Sequence, residues 1–268
     1  MPDPVASPQI AFRSVSRRVE GRDLLTGIDL GIAAGEKVAL IGPSGAGKTT
    51  LLRMCAGILW PTSGSVHVLG LETGTLQGRR LCQLRRQVGF LHQSDNLIPG
   101  LRVVHNVLMG RLGSWSSFRA LLSLLWPRDL GAVKSVLDRV EMGNRMWSLP
   151  GELSGGEQQR VAIARLLLQQ PRVVLADEPV SSLDIRLGRE VVRMLLQFAS
   201  ENHSTLLVSL HTLDLLREGF DRVIALREGR VVWQGRPSAL GREDLRAVYG
   251  AEYRALHLDE VVLDGNRA

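Results

Sequence analysis

The stretch Gly42-Pro43-Ser44-Gly45-Ala46-Gly47-Lys48-Thr49-Thr50 has the residue types and spacing of a site that holds phosphate. An apolar run, Val38 to Ile41, precedes it and reads as a buried strand; a second, Leu51 to Ala56, follows and reads as a helix. Gly-x-x-x-x-Gly-Lys-Thr between strand and helix is the P-loop pattern in the setting it requires. Its glycines let the backbone curl so that successive N–H groups face phosphate oxygens. The helix that follows turns its positive end to the same oxygens. Lys48 can reach the β- and γ-phosphates, and the Thr49 hydroxyl can ligate Mg²⁺. Lysine is scarce here, at positions 37, 48 and 134 against a background of arginine, so its presence at this spot is informative.

Two further stretches carry chemistry. Arg172-Val173-Val174-Leu175-Ala176-Asp177-Glu178 is an apolar strand ending in paired acids before Pro179. In P-loop proteins an acid at such a strand end holds the Mg²⁺ complex, a role that falls to Asp177. Glu178 is then placed to orient or deprotonate an attacking water. Leu153-Ser154-Gly155-Gly156-Glu157-Gln158-Gln159-Arg160 reads as a turn that opens an amphipathic helix. A helix start with a hydroxyl and free N–H groups is a second anion site, although a plain N-cap would look the same over a single turn.

The elements that must position these groups follow from pattern. Ile10 to Val15 and Leu24 to Ile32 alternate as strands of a small antiparallel sheet. The helix after Lys48 is expected to stop near Gly57, Pro61 to Gly64 to turn, and Ser65 to Leu69 to form a short strand. Leu84 to Gln87 ends a short helix and Val88 to Leu91 is a strand. From Gln93 to Pro150 the segments read as helices, at Val103 to Leu112, Phe118 to Leu125 and Asp129 to Val140. Strands return at Arg172 to Ala176, Thr205 to Ser209, Val223 to Leu226 and Arg230 to Trp233, with helical segments at Ile185 to Ala199 and around Leu213 to Glu218. Alternating strands and helices predict an α/β fold, a P-loop NTPase core with a mostly parallel sheet, preceded by an antiparallel β subdomain and carrying an inserted α-helical subdomain. The expected domain spans 8–250, with 8–92 and 171–250 as nucleotide-binding core, 93–170 as helical subdomain and 251–268 as a C-terminal extension. Residues Met1 to Pro8 read as a loose leader.

Bulk properties narrow the class. The chain has 268 residues, 44% hydrophobic and 22% charged, enough for a sizeable core and ordinary for a soluble globular protein. Its net charge of +6 could suit nucleic acid or an anionic membrane surface, but the arginines are scattered, and nucleic acid is not expected as a partner. Cys55 and Cys82 match no metal spacing or disulfide framework, which fits a reducing compartment. No signal-peptide pattern opens the chain and no apolar stretch is long enough for a bilayer. These properties predict a cytosolic chain, with any membrane role coming through a partner.

Taken in order, Gly42 to Thr49, Leu153 to Gln158 and Asp177-Glu178-Pro179 resemble the ATP-binding subunit of ATP-binding-cassette (ABC) transporters, over about Ile10 to Gly250. Three other positions match that family. Gln93, in Phe90-Leu91-His92-Gln93, resembles the Q-loop glutamine, which links Mg²⁺ and water to the permease contact. Asp184, in Ser182-Leu183-Asp184, resembles the D-loop, which touches the opposite subunit. His211 resembles the switch histidine that meets the γ-phosphate. One departure stands out: the family stacks an aromatic on adenine shortly after the first strand, and here Val19 takes that place, giving apolar contact without π-stacking.

The resemblance implies a head-to-tail homodimer, with each ATP and its Mg²⁺ between the P-loop of one copy and Ser154, Gly155, Gly156 and Glu157 of the other. It implies hydrolysis by direct water attack, with Glu178 as base and Lys48, Gln93 and His211 around the γ-phosphate. The helical insertion is where the family docks its permease. Its apolar tract Gly113 to Pro127 reads either as core of that subdomain or as surface facing permease or bilayer. Asn106 to Gly113, Ser209-Leu210-His211 and Val248-Tyr249-Gly250 look like importers of phosphonates and related phosphorus oxyanions, which use an extracytoplasmic solute-binding protein. The competing expectations are an ABC ATPase for another cargo, such as amino acids or extracted lipids and lipoproteins, and a soluble cassette acting on DNA or ribosomes. The second usually carries paired cassettes, a coiled coil or zinc modules, which this chain lacks.

Overall fold

A computed structural model describes residues 8–93, 96–113, 115, 123, 127, 129–181, 183–250 and 253. Five strands, β3 (Lys37–Ile41), β6 (Val88–Leu91), β7 (Val173–Asp177), β8 (Thr205–Ser209) and β9 (Arg222–Arg227), run parallel, in the spatial order β9-β3-β8-β7-β6. Strand β10 (Arg230–Gly235) closes the edge as an antiparallel hairpin with β9. A second sheet, antiparallel, is ordered β2-β1-β4-β5, from β1 (Ile10–Val19), β2 (Arg22–Ile32), β4 (Ser63–Val68) and β5 (Leu71–Glu72).

The parallel strands are covered on both faces, which is why they read as unbroken apolar runs. Side chains alternate between two cores. Ala39, Ile41, Val174, Ala176, Leu206, Val208, Val223 and Ala225 join one cluster; Val38, Leu40, Val173, Leu175, Leu207, Ile224 and Leu226 join the other. The first core is completed by α3 (Val103–Leu112), α4 (Leu130–Arg139), α5 (Gly155–Gln169) and α6 (Ile185–Glu201). The second is completed by α1 (Lys48–Cys55) and the antiparallel sheet. The period-2 geometry of a strand thus divides one sheet between two cores.

Most expected elements lie where the pattern placed them, and the departures have local causes. Strand β1 runs on to Val19 although Ser16-Arg17-Arg18 carry no apolar alternation; pairing with β2 holds it, helped by the Arg18–Asp23 ion pair. Strand β4 starts at Ser63, inside the segment expected to turn. Gly64 lies there with φ +78, and a Cβ would stand 2.4 Å from the carbonyl oxygens of Arg13 and Ser14. The glycine marks close passage over a bulge in β1 rather than the end of the strand. Leu213–Glu218 is a 3₁₀ turn, and a further 3₁₀ turn, Pro237–Ala239, precedes α7 (Arg242–Tyr249), a helix the pattern reading did not anticipate. Helix α2 (Gly78–Gln87) ends at Gln87, as the pattern suggested, and its start, which the pattern did not mark, is at Gly78. The expected helix Phe118 to Leu125, apart from Ser123, falls outside the described residues, as do Ser182 and positions 1–7, 94–95, 251–252 and 254–268.

Asn106 holds the entry to α3. Fully buried, it accepts from the Ile98 N–H at 2.7 Å and donates to the carbonyls of Ile98 and Leu101 at 3.2 and 2.8 Å. Asn106→Ala leaves these backbone groups without partners and should lower unfolding free energy by about 2–3 kcal/mol, read from urea denaturation.

Candidate active site

All the groups that converge here leave the same end of the parallel sheet. Register places Leu40 of β3 beside Ser209 of β8, and Ser209 beside Asp177 of β7. Leu91 of β6 pairs with Ala176, so Gln93 emerges two residues beyond that pairing, at the same sheet end. Loops following parallel strands share one edge of such a sheet, where α/β folds gather their ligand-binding groups.

The loop Gly42 to Gly47 links β3 to α1. Gly42 has φ +144, and a Cβ there would come within 2.1 Å of the Leu226 carbonyl oxygen, so no other residue fits. Gly47, at φ +103, precedes the first turn of α1, which carries no acidic residue. Lys48 is 4% exposed, and its ammonium donates to the carbonyls of Gly42 at 2.7 Å and Pro43 at 3.2 Å. The cation is thereby fixed over the loop, at the positive end of a helix.

From the same turn of α1, the Thr49 hydroxyl donates to Asp177 Oδ1 at 2.9 Å. The Ser209 hydroxyl donates to that same oxygen, also at 2.9 Å, and accepts from the Glu178 N–H at 2.8 Å. Asp177 is 4% exposed and Ser209 fully buried. Glu178 sits at φ +47, in the left-handed region, which turns its side chain off the strand end. Its carboxylate bonds to His211 Nε2. Thr49, Asp177, Ser209, Glu178 and His211 therefore form one continuous hydrogen-bonded chain drawn from α1, β7 and β8.

The His211 hydrogen bond, aided by the charges of His211 and Lys48, holds the Glu178 carboxyl below its ordinary pKa against the opposing effect of desolvation. Near neutral pH Glu178 is a carboxylate, the form that accepts a proton from water. The oxygens of Thr49 and Asp177 suit a hard divalent cation such as Mg²⁺, which takes few protein ligands and completes its shell with water and phosphate. No group of three or more His, Cys, Asp or Glu side chains able to hold a metal occurs among the described residues.

The other expected site residues stand apart from this chain. Ser154 caps α5: its hydroxyl accepts from the Glu157 N–H at 3.3 Å, while the Glu157 carboxylate accepts from the Ser154 N–H at 2.8 Å. These bonds hold the Glu157 pKa low. Ser154 and Gly155 are exposed and Gly156 is buried. Asp184 caps α6 by accepting from the Leu187 N–H at 3.0 Å. Val19 is 38% exposed at the end of β1. Gln93 is exposed, and the loop that carries it is tied to α5. Asn96 accepts from the His92 N–H and donates to the His92 carbonyl, at 2.9 and 2.7 Å, and lies 3.4 Å from Gln159 Oε1. Arg165 donates to the Asn96 carbonyl at 2.6 Å. The helix that begins at Ser154 thus grips the loop of Gln93 through Gln159 and Arg165.

Two residues at the site carried no role in the sequence reading. Ser209 was visible only as part of a short match, and its bridge between Asp177 and Glu178 is a consequence of register. Tyr249 too was visible only within a short match, Val248-Tyr249-Gly250, with no role attached, yet its hydroxyl accepts from the Gly42 N–H at 3.2 Å.

Similarity to known proteins agrees with this geometry. The family model described as ABC transporter matches residues 25–181. The chain is 44% identical over 236 residues, 88% of its length and 89% of the relative's, to "Phosphonates import ATP-binding protein PhnC 1" of Pseudomonas syringae pv. syringae (strain B728a). It is 42% identical to the PhnC protein of Thiobacillus denitrificans (strain ATCC 25259 / T1), over 91% of this chain and 93% of that one. Among solved structures, the dimeric MJ0796, a bacterial ABC transporter cassette, superposes with a TM-score of 0.74 at 30% identity, covering 85% of this chain and 98% of that one.

Because Glu178 owes its low pKa first to His211, His211→Ala should move its carboxyl titration midpoint upward, read by carbon-detected NMR. A carboxyl with a depressed folded pKa stabilises the fold fully above its unfolded value and loses that contribution as pH falls through the folded one. The variant should therefore unfold at a higher pH than wild type in acid titration.

Proposed function

Since this chain belongs to the ABC transporter family and is an ATP hydrolase, we propose that it energises import of phosphonates or related phosphorus oxyanions through a membrane permease. The observation that carries the cargo is the 41–44% identity to several phosphonates import proteins over most of both chains. An importer of this kind works with an extracytoplasmic solute-binding protein, and the chain sits peripherally on the cytoplasmic face of the membrane. No helix among the described residues is long and apolar enough to cross a bilayer.

The mechanism proposed for the site assigns each part a task. Loop N–H groups and Lys48 bind the triphosphate of ATP, and Val19 offers an apolar contact to adenine. Thr49 and Asp177 would hold Mg²⁺, with Gln93 as a further contact, and the ion would supply positive charge to stabilise phosphoryl transfer. Glu178 orients the attacking water and takes its proton. His211 steadies Glu178 and faces the γ-phosphate.

Ser154, Gly155, Gly156 and Glu157 present a helix N-terminus outward, and this arrangement supports completion of the site by a second copy. In that dimer the capped start of α5 lies over the γ-phosphate bound by the other subunit, and Asp184 lies at the contact. The dimeric form of the MJ0796 cassette supports the same assembly. Closure depends on the γ-phosphate, and its loss reopens the pair. Residues 93–170 act as the unit that meets the permease; Gln159 and Arg165 hold Asn96 within that unit, and the bonds between Asn96 and His92 tie it to the nucleotide-binding core.

Glu178→Gln should lower ATP turnover by about a hundredfold or more and leave an ATP-bound dimer on size exclusion; normal turnover would remove Glu178 from the role of base. Deletion of the coding sequence in a host without a second such importer should abolish growth on a phosphonate as sole phosphorus source while growth on inorganic phosphate continues. Unimpaired growth on the phosphonate points to another cargo.

A further inference from the structure

The P-loop has a support from the far end of the chain. Ile41, the last residue of β3, still pairs with Ala225 of β9. At the next residue the backbone swings to φ +144 and leaves the ladder. Gly42 is buried, so its N–H needs another partner. It finds the Tyr249 hydroxyl at 3.2 Å, supplied from 207 residues away.

Tyr249 is itself held firmly. It is 5% exposed, and Leu245 and Val248 bury the same face of α7. Arg227, at the end of β9, donates to the Ala247 carbonyl at 2.6 Å and packs against Gly250, which ends the helix at φ +55. The sheet edge that abuts the loop therefore also anchors the helix that carries the phenol.

We propose that Tyr249 is a positioning residue for nucleotide binding, acting through Gly42 on Lys48. Both polar groups of Gly42 are engaged: its N–H by the Tyr249 hydroxyl and its carbonyl by the Lys48 ammonium at 2.7 Å. Fixing the first group limits the rotation of the peptide that follows, and so the place of the second. The phenol acts through the loop backbone: it sets where the lysine and the loop stand before ATP arrives. These contacts to phosphate are made alike in ground and transition states, so their loss falls on binding rather than on turnover. The proposal rests on ATP occupying this loop.

Tyr249→Phe deletes one oxygen and keeps the ring in its packing. In the purified full-length chain the expected result is a three- to tenfold rise in the Kd for ATP and in the KM, with kcat within twofold of wild type. An unchanged Kd overturns the proposal, whether or not the melting temperature falls, because a purely structural tyrosine would move only the latter. A fall in kcat with Kd unchanged overturns it too. A second measurement needs no variant. In wild type the Gly42 amide should exchange with solvent at least tenfold more slowly than that of exposed Gly45; equal rates would mean the bond does not persist. If wild type itself neither binds nor hydrolyses ATP, the nucleotide reading fails instead, and that result is distinct from a Tyr249→Phe chain matching an active wild type.

Discussion

One carboxylate oxygen organises this molecule. Asp177 Oδ1 receives the Thr49 hydroxyl from α1 and the Ser209 hydroxyl from β8, both at 2.9 Å, while being almost excluded from solvent. A buried carboxylate is costly unless its lone pairs are met. Meeting them here fixes the first turn of α1 against two neighbouring strands, and so places the phosphate loop relative to the acid that follows Asp177. The Ser209 oxygen then takes the Glu178 N–H, which directs the next side chain toward His211. Satisfying one buried charge thus builds the order of the side chains at this sheet end.

That order needs a rigid sheet, and the sheet is rigid because it is packed on both faces. Alternate residues of β3, β7, β8 and β9 feed two different cores, so a strand cannot slide by one residue without exchanging its two faces. The register that sets Leu40, Ser209 and Asp177 side by side is therefore maintained far from the site. The helices over one face add a lever. Helix α5 begins at the exposed Ser154, and its Gln159 and Arg165 reach the Asn96 clamp on the loop of Gln93. That helix and that loop are thus joined through side-chain bonds.

Much of this was legible in the residues. Gly42 to Thr49, Asp177-Glu178 and Ser154 to Glu157 stand out because a curled loop, an acid at a strand end and a capped helix start each demand particular side chains at short spacing. The parallel strands were legible from continuous apolar runs. Strand β1 beyond Val15 was not, since pairing rather than burial sustains it. Helix α7 was missed because it spans eight residues and starts from Gly241, which offers no capping side chain. The start of β4 was misjudged because Ser63-Gly64 has turn chemistry, and the glycine serves instead to cross a bulge in its neighbour.

The division has a physical basis. Local sequence determined what depends on neighbours along the chain: a loop that can curl around phosphate, a helix start with free donors, an acid at a strand end, two periodicities. Tertiary structure alone decided which residues meet across the fold. Ser209 is an ordinary strand-end serine until register sets it between Asp177 and Glu178, and Tyr249 is an ordinary helix residue until α7 folds back against β9. Contacts between residues 32 or 207 positions apart leave no local periodicity, because they arise from packing that the whole chain must complete first.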